Sequence, residues 1–206
     1  ASSAARIASA PAPCFAPSGG RIASSLSFEG NAEIYLLEDG GQKAQRLTFS
    51  SSIETAPSFS PDGAQLAYTS DRSGQPHVYV MDSDGANARR LTYLGKWCDS
   101  PDWSPKGDRI CFVALVDDAF DIFTMRPDGE DLRRLTAGEG SHENPRWAPD
   151  GRHLVYARRS GKSRQLWVMA ADGSGKRALT SFKGDQYNPA WSPPLRPTSQ
   201  MFTSLR

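Results

Sequence analysis

Pro57-Ser58-Phe59-Ser60-Pro61-Asp62-Gly63 decides the fold, because the stretch returns at a fixed interval. A spacing of 44 residues gives Pro13-Cys14-Phe15-Ala16-Pro17-Ser18-Gly19 upstream, then Pro101-Asp102-Trp103-Ser104-Pro105-Lys106-Gly107 and Pro145-Arg146-Trp147-Ala148-Pro149-Asp150-Gly151 downstream. A last copy opens at Pro189-Ala190-Trp191-Ser192-Pro193 and then dissolves. Leu47-Thr48, Leu91-Thr92, Leu135-Thr136 and Leu179-Thr180 keep the same register, as do Ile34-Tyr35, Val78-Tyr79, Ile122-Phe123 and Leu166-Trp167. A period of this size marks a fold assembled from one repeated supersecondary unit.

Each unit reads as strands separated by turn chemistry. In the second unit, Pro57 to Ser60 is a first strand. Ser60-Pro61-Asp62-Gly63 turns the chain, with proline preset for the second turn position and glycine supplying a positive φ. Gln65 to Ser70 is a second strand, Val78 to Met81 a third and Arg89 to Thr92 a fourth, with Asp84-Gly85 as the hairpin signal before it. Asp128-Gly129 and Asp172-Gly173 repeat that signal. Four antiparallel strands in each unit predict an all-β protein, a β-propeller of four 44-residue blades. A blade must bury both faces against its neighbours, so Phe59, Trp103, Trp147, Trp191, Tyr79, Phe123 and Trp167 are expected in the core.

The predicted organisation is a loose arm at 1–12, blades at 13–56, 57–100, 101–144 and 145–188, a closing strand at 189–195 and a tail at 196–206. The closing strand is an orphan first strand without the other three, which points to part of a larger, six-bladed ring. An irregular four-bladed closure or self-association are the alternatives. With 24 Lys and Arg against 23 Asp and Glu, the formal charge of +1 gives no basic excess to attract phosphate backbones or anionic lipid, so no nucleic-acid partner is expected. Apolar runs as short as Ile110 to Val113 predict no membrane insertion. Residues 1–12 are small and polar, so any export signal is expected to have been removed or never present. Cys14, Cys98 and Cys111 are odd in number and lack CxxC spacing, which reads as unpaired thiols with neither a disulfide framework nor a zinc site.

The unit PxWSPDGxxIAYxS…GxxxIYxMDxDGxxxRxLT, carried by Pro57 to Thr92 and its copies, resembles the WD40-like repeat of the TolB family. Ser27-Phe28-Glu29-Gly30-Asn31-Ala32-Glu33-Ile34-Tyr35-Leu36 and the ending Pro189-Ala190-Trp191-Ser192-Pro193-Pro194-Leu195 carry the resemblance further. In that family a six-bladed propeller follows a small α/β domain, and residues 13–195 are similar to its C-terminal part. The resemblance implies a non-enzymatic, periplasmic component of the Tol-Pal system, supporting outer-membrane integrity, protein transport and cell division. Its partners would be the peptidoglycan-associated lipoprotein Pal, other Tol proteins and colicins. Family contacts lie in the loops before the PxW motif, at one mouth of the channel. Their counterparts here are Ile53-Glu54-Thr55-Ala56, Trp97-Cys98-Asp99-Ser100, Ser141-His142-Glu143-Asn144 and Asp185-Gln186-Tyr187-Asn188. These loops differ while their flanks repeat, as expected where a rigid scaffold presents a binding surface. Trp97 and Tyr187 are the expected anchors, and Glu54, Asp99 and Glu143 would make the mouth acidic.

No catalytic residue, cofactor or metal is expected. No Gly-x-Ser-x-Gly elbow occurs, and Gly161-Lys162-Ser163 has Tyr156 where a phosphate-binding loop needs its first glycine. His77, His142 and His153 lie in different units without ligand spacing. Asp117, Asp118 and Asp121 read as a solvated turn, and Asp82-Ser83-Asp84-Gly85 as a hairpin, because neither has the ordered spacing of a calcium loop. The rival reading is the propeller of a prolyl-oligopeptidase-type enzyme, gating a hydrolase domain that the chain does not contain; an inert propeller fragment is a third.

Overall fold

Strand-forming runs between repeated turns close into one sheet per unit. The computed structural model describes residues 13–28, 30–138 and 140–192, and its strands form four antiparallel meanders in simple sequence order. The first blade holds β1 (Cys14–Phe15), β2 (Ile22–Leu26), β3 (Glu33–Glu38) and β4 (Lys43–Arg46); the second holds β5 (Glu54–Phe59), β6 (Gln65–Ser70), β7 (His77–Asp82) and β8 (Arg89–Arg90). The third holds β9 (Cys98–Trp103), β10 (Ile110–Val116), β11 (Ala119–Met125) and β12 (Arg133–Arg134), and the fourth β13 (Ser141–Trp147), β14 (His153–Ser160), β15 (Ser163–Ala170) and β16 (Arg177–Ala178). The arm at 1–12, the end of the closing strand at 193–195 and the tail at 196–206 lie outside the described residues. First strands of successive blades touch one another, β1 to β5, β5 to β9 and β9 to β13, so they form the inner side of the arc.

Each blade buries two faces in two different cores. Leu66, Tyr68, Tyr79 and Met81 point back onto Ala23, Ile34, Leu36 and Leu47 of the first blade, while Ala67, Val78, Val80 and Leu91 point forward onto Trp103, Ile110, Phe112, Phe123 and Met125 of the third. The third and fourth blades repeat the arrangement through Ile122, Leu135, Trp147, Leu154, Tyr156 and Met169. Strand alternation thus serves both interfaces, and the predicted core aromatics Phe59, Trp103 and Trp147 are at most 7% exposed. Leu179 and Trp191, in the registers of Leu135 and Trp147, are 45% and 39% exposed, because no further blade lies on them among the described residues.

Side chains repeat across these interfaces. The N–H of Trp103 donates to Ser58 Oγ (2.9 Å), that of Trp147 to Asp102 Oδ2 (2.7 Å) and that of Phe59 to Cys14 Sγ (3.4 Å). The recurring Leu-Thr has an equally local cause. Thr48, Thr92, Thr136 and Thr180 each accept an N–H at 2.8–2.9 Å, from Ile34, Val78, Ile122 and Leu166. This side-chain cap ends the ladder, so the fourth strand stops at Arg90 instead of running to Thr92 as its sequence suggests. Each Asp-Gly turn lies over the preceding blade: a Cβ on Gly85 would come 2.7 Å from the Leu47 carbonyl oxygen.

Asp117 and Asp118 both take a positive φ in the two-residue β10–β11 turn, whereas Asp121 points inward to Arg134, Thr136 and His142. The acidic triplet is therefore divided between a hairpin and a buried network.

The first strands differ from their sequence reading. They begin at Glu54, Cys98 and Ser141, upstream of the prolines, and continue through a bulge. Ala56-Pro57, Ser100-Pro101 and Asn144-Pro145 each oppose a single residue, Tyr68, Phe112 or Tyr156, and all three aromatics are fully buried. Ala56, Ser100, Asn144 and Asn188 take the left-handed conformation, with φ of 51° to 55°. Alanine tolerates that region poorly, so Ala56→Gly is expected to stabilise the chain by about 0.5–1 kcal/mol, read as a higher urea midpoint.

Candidate functional site: the converging ends of the first strands

The upstream ends of β5, β9 and β13 bring together the residues read from sequence as channel-mouth loops. Their placement is corrected: Glu54, Thr55 and Ala56, Cys98, Asp99 and Ser100, and His142, Glu143 and Asn144 lie on strands rather than in loops. All of them are buried except Ala56, which is half-buried. The reason is the bulge, which lets pairing with the second strand continue past the proline. Gln186, Tyr187 and Asn188 lie outside any ladder, with Tyr187 59% exposed. Trp97 is half-buried in the connector leading into the third blade, its ring 6.3 Å from that of Phe120.

The expected acidic mouth is also corrected, because two of its three acids are neutralised within the chain. Glu54 accepts from Ser50 Oγ (2.8 Å), Ser70 Oγ (3.0 Å) and Arg72 Nη2 (3.0 Å). Glu143 pairs with Arg164 Nη2 at 3.0 Å. The Arg164 guanidinium also sits 5.9 Å from the centre of the Tyr187 ring, linking a buried acid to the most exposed aromatic of the site. Asn144 donates to Asn188 Oδ1 at 2.5 Å, holding the loose fifth segment against the fourth blade.

Asp99 differs. Its Oδ1 accepts from Thr69 Oγ1 (2.8 Å) and from the N–H of Ser100 (2.6 Å). Burial raises its carboxyl above the usual range despite these bonds. Burial likewise pushes the Glu54 carboxyl up and the Cys98 thiol up to about 11. Cys98 is fully buried and its Sγ donates to the Leu94 carbonyl, so it is a packing residue and an unreactive thiol.

Arg72, Asp71, Pro76 and Arg164 flank these strand ends but were not singled out in the sequence. They lie in the links between second and third strands or at the start of a third strand, which the topology returns to the same end of the blade. The available signal was variation at fixed register: Arg72 has Val116 and Ser160 as counterparts.

Four-stranded meanders stacked at a 44-residue period, with first strands inside, are the architecture of a β-propeller. The family model for the TolB beta propeller domain matches residues 2–195. The chain belongs to the TolB β-propeller family. The structure of TolB from Acinetobacter baumannii is similar at 30% identity and a TM-score of 0.78, over 86% of this chain and 45% of that one. A TolB-assigned protein from Agrobacterium tumefaciens is similar at 27% identity and a TM-score of 0.74, over 81% of this chain and 63% of that one. The chain thus spans less than two thirds of either TolB structure. A nidogen/laminin complex (TM-score 0.71) and puromycin hydrolase (0.63), each at 15% identity, share the fold alone. No curated protein matches the sequence. Among the described residues, no helix is long and apolar enough to cross a membrane.

Proposed function

We propose that this TolB-family propeller is a non-enzymatic adaptor of the Tol-Pal system that binds Pal at the end of the arc where the first strands begin. It acts in the periplasm, within a six-bladed ring, and supports outer-membrane integrity, protein transport and cell division; other Tol proteins and colicins would use the same surface. The observation that carries this reading is the convergence of non-repeating residues on one end of an otherwise repeated scaffold, with Trp97 and Tyr187 left accessible beside buried polar groups. Loops and strand ends on a rigid frame are where binding residues concentrate, and aromatic anchors dominate such interfaces. The contact set is Glu54, Thr55, Ala56, Trp97, Cys98, Asp99, Ser100, His142, Glu143, Asn144, Gln186, Tyr187 and Asn188, the buried members shaping the surface and the accessible ones touching the partner.

The test is a calorimetric titration of the 206-residue chain with purified Pal. Trp97→Ala is expected to weaken binding at least tenfold, about 1.4 kcal/mol. Glu143→Ala is expected to weaken it as well, by releasing Arg164 from its pair. Absence of any heat change with a folded, monodisperse chain would sink the Pal assignment.

A further inference from the structure

Every fully buried acid among the described residues has an arginine, with one exception. Glu33 pairs with Arg46 at 2.8 Å, Glu54 with Arg72 at 3.0 Å, Asp121 with Arg134 at 2.5 Å and Glu143 with Arg164 at 3.0 Å. Asp99 is 4% exposed and has no cationic partner within ion-pair distance among the described residues. The repeat sharpens the contrast, because Asp99 and Glu143 occupy the same register one blade apart. Arg164, which neutralises Glu143, has Phe120 as its counterpart, so the third blade lacks the cation that the fourth supplies to itself.

Asp99 lines a pocket between the second and third blades, together with Ile53, Thr55, Thr69, Asp71, Pro76 and Trp97. Asp71 is a second carboxylate without an arginine or lysine partner among the described residues; its Oδ1 accepts the N–H of Ile53 at 2.7 Å. Trp97 belongs to the same wall, its buried indole N–H on the side of the Asp99 carboxylate but short of good hydrogen-bond geometry. An ionised carboxylate is costly to bury without compensation, which is why burial raises the Asp99 carboxyl, and a positive charge brought from outside would favour its ionised form.

We propose that the pocket receives a cationic side chain presented by the partner protein, its charged head against Asp99 and Asp71 and its methylenes between Ile53, Pro76 and Trp97. The inference deepens, and rests on, the reading of this end as a partner-binding surface. Apolar walls favour a side-chain stem over a hydrated metal, and no group of three or more His, Cys, Asp or Glu residues among those described comes together to hold a metal. The planar fork of arginine suits two carboxylates better than the point charge of lysine.

The test follows the Trp97 indole resonance of the ¹⁵N-labelled chain, assigned with Trp97→Phe. N-acetyl-arginine methylamide, its lysine analogue and the neutral citrulline analogue are titrated in turn. Arginine is expected to bind saturably, at least tenfold tighter than citrulline, with lysine between them. Asp99→Asn, which keeps a carbonyl to accept from Thr69, is expected to abolish the difference. Citrulline binding as tightly as arginine would overturn the proposal on the wild-type chain alone, whether or not the variant folds. Arginine selectivity surviving in folded Asp99→Asn would overturn it equally. Pal binding unchanged by Asp99→Asn rejects the cationic anchor and leaves the adaptor reading standing, whereas arginine-selective binding without Pal binding supports the pocket and rejects that reading.

Discussion

Phe112→Ala is expected to lower the stability of the chain by about 3–5 kcal/mol, the range for deleting a fully buried aromatic ring. Phe112 is 0% exposed, stands opposite the Ser100-Pro101 bulge and stacks on Phe123 at 5.8 Å. It has no room to be replaced by movement, because the bulge above it and the second blade beside it are both set by their own hydrogen bonds. At this chain length each kcal/mol moves the thermal midpoint by about 2–4 °C, so calorimetry should record a fall of roughly 6–20 °C. A loss below about 1 kcal/mol would mean that the third blade can close around the void.

Gly85→Ala should be nearly as damaging, and a paired variant isolates the cause. Gly85 and Gly74 both have φ of 94°, so alanine meets the same backbone cost at either site. At Gly74 nothing lies within 4 Å of the added Cβ, whereas at Gly85 the Leu47 carbonyl oxygen lies at 2.7 Å. Gly74→Ala is expected to cost about 1–2 kcal/mol and Gly85→Ala about 2–4 kcal/mol, with urea unfolding as the readout. Equal losses would show that the turn lifts away from the first blade without penalty.

The blades were legible because their punctuation is chemical. Ser-Pro-Asp-Gly and Asp-Gly can do little other than turn a chain, and Gln65 to Ser70 emerged as a strand with its observed limits. The upstream halves of the first strands were hidden for an equally physical reason. Nothing in the residue type of Ala56 or Ser100 announces a left-handed backbone, and a following proline usually marks where a central strand cannot be. Residues before each bulge therefore read as loop. The site inherited this error: its positions along the chain were visible, but burial of Glu54, Asp99 and Glu143 was not. The arginines of Glu54 and Glu143 stand at least 18 residues away in sequence, where no local pattern could pair them.

The hydrogen bonds from Phe59, Trp103 and Trp147 to the preceding blade each span 45 residues. Loop-closure entropy depends on that span, so docking of each successive blade meets nearly the same entropic cost however long the finished chain. Across the described blades, assembly can then advance one blade at a time, in the order of synthesis, each docking step drawing on the blade just before it. Such a molecule grows at a constant step, and a translating ribosome that has released the next 44 residues has released everything that step requires.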